Sequence, residues 1–370
     1  MSKKILLANA SFYPSVGGVE NSLRSLSEEF NKQGMSVTII ASNERKLPEY
    51  ERLFGADVYR YKYVPLFGYF ITIALLMKKL KVLNFALVVS RHIATTFVLL
   101  LLKVKKVKYI VPGVYKYQNI GLRNTFSGRI KYFINCKLEK YVLQNTDEVC
   151  VFSNTMESQV GELRDKEIVR LYPGVNAQRF FPVDASEKNR LRTQEELPSN
   201  KKVIFSIGRF VDVKNLKLAI DSLKQLDDSV ILVLVGDGPL NNQLRNYARE
   251  IGIAERVFFR GATKVPEKYF KLADVFLLTS TYEPFGQVLL EASASKLPVV
   301  AINSDIYGIQ TATKEIYNNF ESLVHLSETK EALAYSTKIN EALSAKIDDK
   351  QHISFLEQYS WANMSKKLLS

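Results

Sequence analysis

The sequence predicts two doubly wound α/β domains in tandem, facing a ligand cleft. Three observations carry that reading. Short apolar runs alternate with segments of helical periodicity, the pattern of parallel strands joined by crossover helices. The alternation reaches a turn-rich stretch, LYPGVNAQRFFP at 171–182, and restarts after it. With 370 residues and 46% hydrophobic content, the chain is long enough for two full-sized cores.

The elements follow in order. KILLAN (4–9) reads as a short buried strand. In NSLRSLSEEFNKQG (21–34), Leu23, Leu26 and Phe30 recur at helical spacing, and Gly34 is a good stop. MSVTIIAS (35–42) is the next strand and completes a βαβ unit. FALVVS (85–90), KYIVP (108–112) and EVCVFS (148–153) read as later strands, and RIKYFINCKLEKYVLQ (129–144) as a long amphipathic helix. Beyond the hinge, KVIFSIGRF (202–210) is a strand and turn, and KNLKLAIDSLKQL (214–226) a helix. SVILVLVGDGPL (229–240) is a strand ending in a Gly-Asp-Gly turn, and LNNQLRNYAREIG (240–252) a helix closed by Gly252. RVFFRG (256–261) and DVFLLTS (274–280) complete the strand set. Ligands of such folds bind at the carboxyl ends of strands, so a substrate is expected in the cleft between the domains.

Composition narrows the function classes. Cys136 and Cys150 cannot make a disulfide framework, and His92, His325 and His352 are too scattered for a histidine metal centre. The start, MSKKILLANASFYPS, reads as a first strand rather than a signal peptide. The longest uncharged apolar stretch, 64–77, is short of the roughly 20 residues a spanning helix needs. The net charge of +13 sits entirely in the first half, where residues 1–180 carry 27 Lys and Arg against 14 Asp and Glu. Between Asp57 and Glu139 there is no acid at all, while 15 Lys or Arg and the apolar runs YFITIALLM, TTFVLLLL and IKYFI fall there. That mixture predicts attraction to an anionic membrane surface, each basic residue adding about 1 kcal/mol, with apolar residues dipping into the interface. Nucleic acid is not an expected partner, because no helix-turn-helix, zinc-finger or RNP pattern is present. The expected location is cytoplasmic and peripheral, on the inner face of the membrane.

The chemistry concentrates in EPFGQVLLEASASKLPVV (283–300). DVFLLTS is a strand, so TYEPFG is the loop at its carboxyl end, and a helix is expected to start near 285–286. The first N–H groups of a helix lack intrahelical partners and carry the positive end of its dipole. Gly286 would let a phosphate approach them. Glu283 lies outside the helix, and Glu291 about one turn inside it. Carboxylates accept only, so they suit sugar hydroxyls, one holding a transferred sugar and the other a ribose. Arg209 and Lys214 in GRFVDVK follow a strand end and are suited to a diphosphate, Arg bidentately and Lys as a point charge. Gly17 and Gly18 in GGVE would let backbone from the first domain approach the same phosphates. A dehydrogenase is disfavoured, since the first βα turn lacks G-x-G-x-x-G.

Taken jointly, YPSVGGVEN, SIGRFVDVKN, VGDGPL, LADVFLLTSTYEPFGQVLLEASASKLPVV and YSWANMSKKLL resemble the retaining GT-B glycosyltransferases of family 4 over nearly the whole chain. The E-x7-E element with its Phe-Gly is the most specific of these. The resemblance implies a hexosyltransferase that moves a sugar with retention from a UDP- or GDP-linked donor to a glycan or lipid-linked acceptor. Cell-envelope polysaccharide (capsule, exopolysaccharide or lipopolysaccharide) is the expected product. It implies an acceptor-side domain at 1–175, a nucleotide-sugar domain at 176–355, and a closing helix at 356–370 that crosses back. Carried over by position, Glu283, Arg209 and Lys214 form the catalytic set. Gly17, Gly18, Phe285, Gly286, Gln287 and Glu291 join them at the donor, Glu291 on the ribose. No cofactor and no metal are expected, because cations and the helix dipole stabilise the leaving diphosphate.

Three positions depart from the family pattern. Where many relatives carry His-Gly, this chain has Val111-Pro112-Gly113, and His92 is either an acceptor-side substitute or an ordinary surface or packed histidine. The Gly-Gly-x-x-Glu turn is replaced by residues 307–311, YGIQT, so Thr311 stands where the acid would be. Lys296 takes the place of a helix-ending glycine, at a cost of about 1 kcal/mol. Pro112 and Thr311 motivate a second reading, a non-catalytic partner of the same fold.

Overall fold

The computed structural model describes residues 3–15, 17–43, 46–65, 68–119 and 125–370. Val16 of the Gly-Gly motif and residues 66–67 of the apolar stretch 64–77 lie outside the described residues. The chain divides into two compact units, one of Met1–Pro173 with Trp361–Ser370, the other of Gly174–Ser360. The cut expected after 175 falls after Pro173, inside the turn-rich stretch. The closing segment joins the first unit from Trp361, not from 356, because the helix Asp349–Gln358 packs in the second unit.

Among its described residues, the first unit is built on one eight-stranded sheet. Its strands are β1 (Lys4–Ala8), β2 (Ser36–Asn43), β3 (Tyr50–Leu53), β4 (Ala56–Lys62), β5 (Leu87–Ser90), β6 (Val107–Ile110), β7 (Glu148–Val151) and β8 (Ile168–Arg170). They lie in the order β3-β4-β2-β1-β5-β6-β7-β8, and only β3 runs antiparallel to its neighbour. The central strands are covered on both faces, which explains their unbroken apolar runs. Helix Gly18–Lys32 turns Leu23, Leu26 and Phe30 inward, as their spacing predicts. The final helix, Trp361–Leu369, buries Met364 and Leu368, and Gln33 Nε2 donates to Ser365 Oγ at 2.7 Å.

The second unit holds a six-stranded parallel sheet in the order β11-β10-β9-β12-β14-β16. Its strands are β9 (Lys202–Ile207), β10 (Val230–Val235), β11 (Val257–Arg260), β12 (Val275–Leu278), β14 (Val299–Ile302) and β16 (Val324–Ser327). A separate two-stranded ladder pairs β13 (Tyr282–Glu283) with β15 (Gln310–Thr311). In each sheet the chain reverses its direction of travel once, between β1 and β5 and between β9 and β12. Such switch points are where doubly wound sheets open a crevice at the carboxyl ends of their strands.

Most expected elements occur, with ends moved by a residue or two. The long helix expected at 129–144 runs Phe126–Asn145, capped by the Thr125 side chain on the Gly128 N–H at 3.1 Å. The β3–β4 hairpin, the helix Gly68–Lys79 and the β13–β15 ladder were not anticipated. Lys296 closes the helix Gln287–Ala294 in the left-handed region at φ 56°, and its ammonium pairs with Asp349.

Candidate active site

The loops at the second unit's switch point carry the residues singled out by the sequence. After β9 the chain turns through Gly208 and Arg209, forms a 3₁₀ turn at Asp212–Lys214, and enters the helix Leu216–Lys224 through left-handed Asn215. The Gly-Asp-Gly turn after β10 packs on that loop. The Phe210 N–H donates to Asp237 O at 2.9 Å, and the Leu240 N–H to Phe210 O at 3.2 Å. A Cβ on Gly236 would lie 1.9 Å from Gly208 O, and one on Gly238 2.5 Å from Phe210 O. Both glycines are therefore needed for close backbone approach. The sequence marked that turn as a motif without a role, and the structure makes it the support of the Arg209 loop.

Lys214 is fixed from the other side. Thr279 Oγ1, just past β12, donates to Lys214 O at 2.7 Å, and the Thr281 N–H donates to Val213 O at 2.9 Å. The side chain then makes an ion pair with Glu283, both partners about four-fifths buried (21% and 19% exposed). Glu283 is held in β13, opposite Thr311 in β15, with the Gln310 N–H donating to Thr281 O at 2.7 Å. Sequence reading treated Lys214 and Glu283 as independent contacts, but here each is the other's partner. Arg209 is exposed and has no ion pair among the described residues.

Between Glu283 and the helix lies Gly286, left-handed at φ 84°. A Cβ there would be 3.1 Å from both Glu283 Cγ and Leu289 Cδ1. The helix expected near 285–286 starts at Gln287, because left-handed Gly286 cannot be its first turn and serves as its N-cap. Gln287 Nε2 donates to Gly174 O at 2.8 Å. Phe285 is buried, its ring 6.4 Å from that of Tyr359. Its side chain anchors the loop. The Gln287 and Val288 N–H groups begin the helix and so lack intrahelical acceptors.

Glu291 is 9% exposed. Burial pushes its carboxyl up to about 8, against the attraction of Arg179 and with the repulsion of Glu267. Arg179 and Glu267 pair with each other at 2.7 Å beside it, a contact invisible at a separation of 88 residues. Among the described residues no cluster of three or more His, Cys, Asp or Glu is placed to hold a metal.

Gly17, Gly18 and His92 belong to the first unit and stand at its switch point. Gly17 is the extended N-cap of the helix Gly18–Lys32, and a Cβ there would lie 2.7 Å from Glu20 Oε2. Gly18 has open space around it. His92 follows β5 and caps the helix Ile93–Leu101, its Nδ1 2.9 Å from Thr95 Oγ1. Burial lowers its pKa to about 4, so the ring is neutral near pH 7. Arg91 beside it was not singled out by the sequence. It is 6% exposed, with its guanidinium 5.1 Å from the centre of the Phe152 ring.

Residues 16–179 match the family model described as Glycosyltransferase Family 4, and residues 187–354 the one described as Glycosyl transferases group 1. The two matches tile both units. This chain belongs to glycosyltransferase family 4. The glycosyltransferase is 27% identical over 320 residues to the alpha-monoglucosyldiacylglycerol synthase of Streptococcus pneumoniae, covering 80% of this chain and 70% of that protein. Among solved structures it is similar to a sucrose-phosphate synthase from Thermosynechococcus elongatus, with TM-score 0.80, 20% identity, and 99% and 97% of the two chains covered. It also resembles Anabaena HepE in complex with UDP-glucose, with TM-score 0.77, 17% identity, and 99% and 98% covered. The glycosyltransferase thus has the GT-B fold, in agreement with the resemblance read from its motifs.

Proposed function

We propose that this glycosyltransferase moves a sugar, with retention, from a UDP- or GDP-linked donor to a glycan or lipid-linked acceptor in cell-envelope polysaccharide synthesis. The observation that carries the reading is the Lys214–Glu283 pair set against the Gly286 helix start. Lys214, Arg209 and the first helix N–H groups supply positive charge for a diphosphate. The helix dipole and two cations can stabilise that leaving group without a metal. When the diphosphate takes Lys214, Glu283 is released to accept from sugar hydroxyls, and Glu291 accepts from the ribose. The bond from the anomeric carbon to the phosphate oxygen breaks, and the bond to the acceptor oxygen forms on the same face. The departing phosphate oxygen takes the acceptor's proton. In the first unit, Gly17 and Gly18 are the candidates for a phosphate contact and His92 for the acceptor side. The donor class is supported by the UDP-glucose complex of HepE, and a lipid acceptor by the name of the pneumococcal synthase.

The acid-free basic window supports a peripheral position on an anionic cytoplasmic membrane face, and none of the described helices is long and apolar enough to cross a membrane. The test is thermal unfolding with UDP, GDP, ADP and their sugars, beside Arg209→Ala. A nucleotide at about 100 times its dissociation constant adds about 2.7 kcal/mol to the folded state. A shift with one nucleotide that Arg209→Ala abolishes is the expected result. No shift with any of them would sink the donor-site assignment.

A further inference from the structure

We propose that the first unit binds the hydrocarbon tail of an amphiphilic acceptor, drawn from an anionic lipid surface, in an aromatic groove whose polar end lies at the strand ends beside His92. The proposal rests on the reading that the enzyme glycosylates a lipid-linked acceptor, and it names where that lipid lies. The groove encloses about 920 Å³, near the upper end of the range of about 300–1,000 Å³ for small-molecule sites. Its two ends differ in chemistry. At one end Ala10, Ser42, Tyr61 and His92 line it, at or just past the carboxyl ends of β1, β2, β4 and β5. Ligands of doubly wound sheets bind at that edge. The His92 ring is neutral and offers a hydrogen-bonding nitrogen to a hydroxylated head.

At the other end aromatic and aliphatic side chains dominate the wall, with Ser127, Lys131 and Asn135 as its polar members. Tyr69 and Phe70 come from the helix Gly68–Lys79, Phe97 from the helix Ile93–Leu101, and Ile130, Ile134 and Leu138 from the helix Phe126–Asn145. The rings are contiguous, with Tyr69 and Phe70 centroids 4.2 Å apart and Phe70 and Phe97 5.6 Å apart. A polar glycan would leave these walls wet, whereas an alkyl chain takes them out of water.

Charge names the source of the occupant. The one acid of the helix Phe126–Asn145, Glu139, is fully buried and accepts the Tyr115 N–H at 2.9 Å. The charged groups left on that helix are all cations: Arg129, Lys131, Lys137 and Lys140. The helix Gly68–Lys79 has no acid and ends in Lys78 and Lys79. Outside the groove lining the same two helices expose Leu75, Phe126 and Phe133 at 62%, 81% and 63%, and Ile71 at the groove edge is 62% exposed. Cations interleaved with exposed apolar side chains are what an anionic lipid surface attracts.

The test uses dansyl-undecanoate, a fluorescent fatty acid, displaced by saturated fatty acids of increasing length. Saturable binding of one probe per chain is expected, tightening about fourfold per added methylene and levelling off once the groove is full. Ile134→Asp should weaken it at least about tenfold, while Phe126→Ser, outside the groove, leaves it unchanged. Should Ile134→Asp fail to fold, Ile134→Trp, which fills the groove without charge, gives the same expected loss. Absence of saturable binding, tightening that never levels off, or wild-type affinity in the folded groove variants would overturn the proposal. So would sedimentation showing that a second copy of the chain occupies this face. The nucleotide thermal shift is recorded on the same samples. A retained shift without fatty-acid binding overturns the groove alone, and fatty-acid binding without the shift supports the groove and counts against the donor reading.

Discussion

At the scale of single residues, the ion pair between Lys214 and Glu283 makes the two roles proposed for them separable by experiment. Glu283→Ala should lower sugar transfer about 100-fold while leaving nucleoside diphosphate affinity unchanged or tighter, because Lys214 is then free. Lys214→Ala should weaken nucleotide binding about tenfold or more, the strength of a charged hydrogen bond. Calorimetric titration beside initial rates separates the two outcomes, and equal loss of affinity in both variants would contradict the exchange of partners. Glu291 sets a pH dependence. Burial raises its carboxyl from 4.5 to about 8, with Arg179 and Glu267 as the charged groups facing it. Its contribution to stability is full below the unfolded value and is lost as pH rises toward 8. Ribose hydroxyls would donate to the carboxylate and reverse that preference, so nucleotide binding releases a proton. Affinity should rise between pH 6 and 8, by at most about tenfold per unit, and Glu291→Gln should flatten the profile.

At the scale of elements, the site depends on loops that brace one another. The turn after β10 holds the Arg209 loop through backbone contacts that exclude a side chain at Gly236. Gly236→Ala should destabilise the second unit by roughly 3 kcal/mol and abolish the nucleotide shift at temperatures where the fold survives. An unchanged melting temperature would show that the two loops separate easily. The β13–β15 ladder has a similar role, since it sets the Glu283 backbone against Thr311. Thr311, which the motif resemblance set in place of an acid, is buried with its hydroxyl 3.1 Å from Thr313 Oγ1. Its position supports the loop.

At the scale of the whole molecule, the chain leaves the first unit at Pro173 and returns to it at Trp361. Deleting the final helix Trp361–Leu369 removes the buried Met364 and Leu368, each worth about 1.5–3 kcal/mol. Hydrogen exchange in the helix Gly18–Lys32, which contacts that segment through Gln33 and its neighbours, should then accelerate. The second unit's strands should keep their protection, and the nucleotide shift should persist. Loss of protection in both units would mean that they fold as one.

The sequence by itself determined what local chemistry can encode. Apolar periodicity marked the strands and the crossover helices, because burial on one or both faces leaves its period in the residues. Alternation of the two marked the doubly wound class, and Gly286 with its flanking glutamates marked the loop and helix start that the fold presents. The family followed from motifs that come in a fixed order and spacing along the chain. Tertiary structure decided the rest. That Lys214 faces Glu283, 69 residues away, that Arg179 and Glu267 sit beside Glu291, and that the Gly-Asp-Gly turn carries the Arg209 loop are consequences of strand order. So is the groove, where three helices far apart in sequence share one wall. Such contacts leave no periodicity in the chain, since each depends on which strand lies next to which, and that is settled only when the sheet closes.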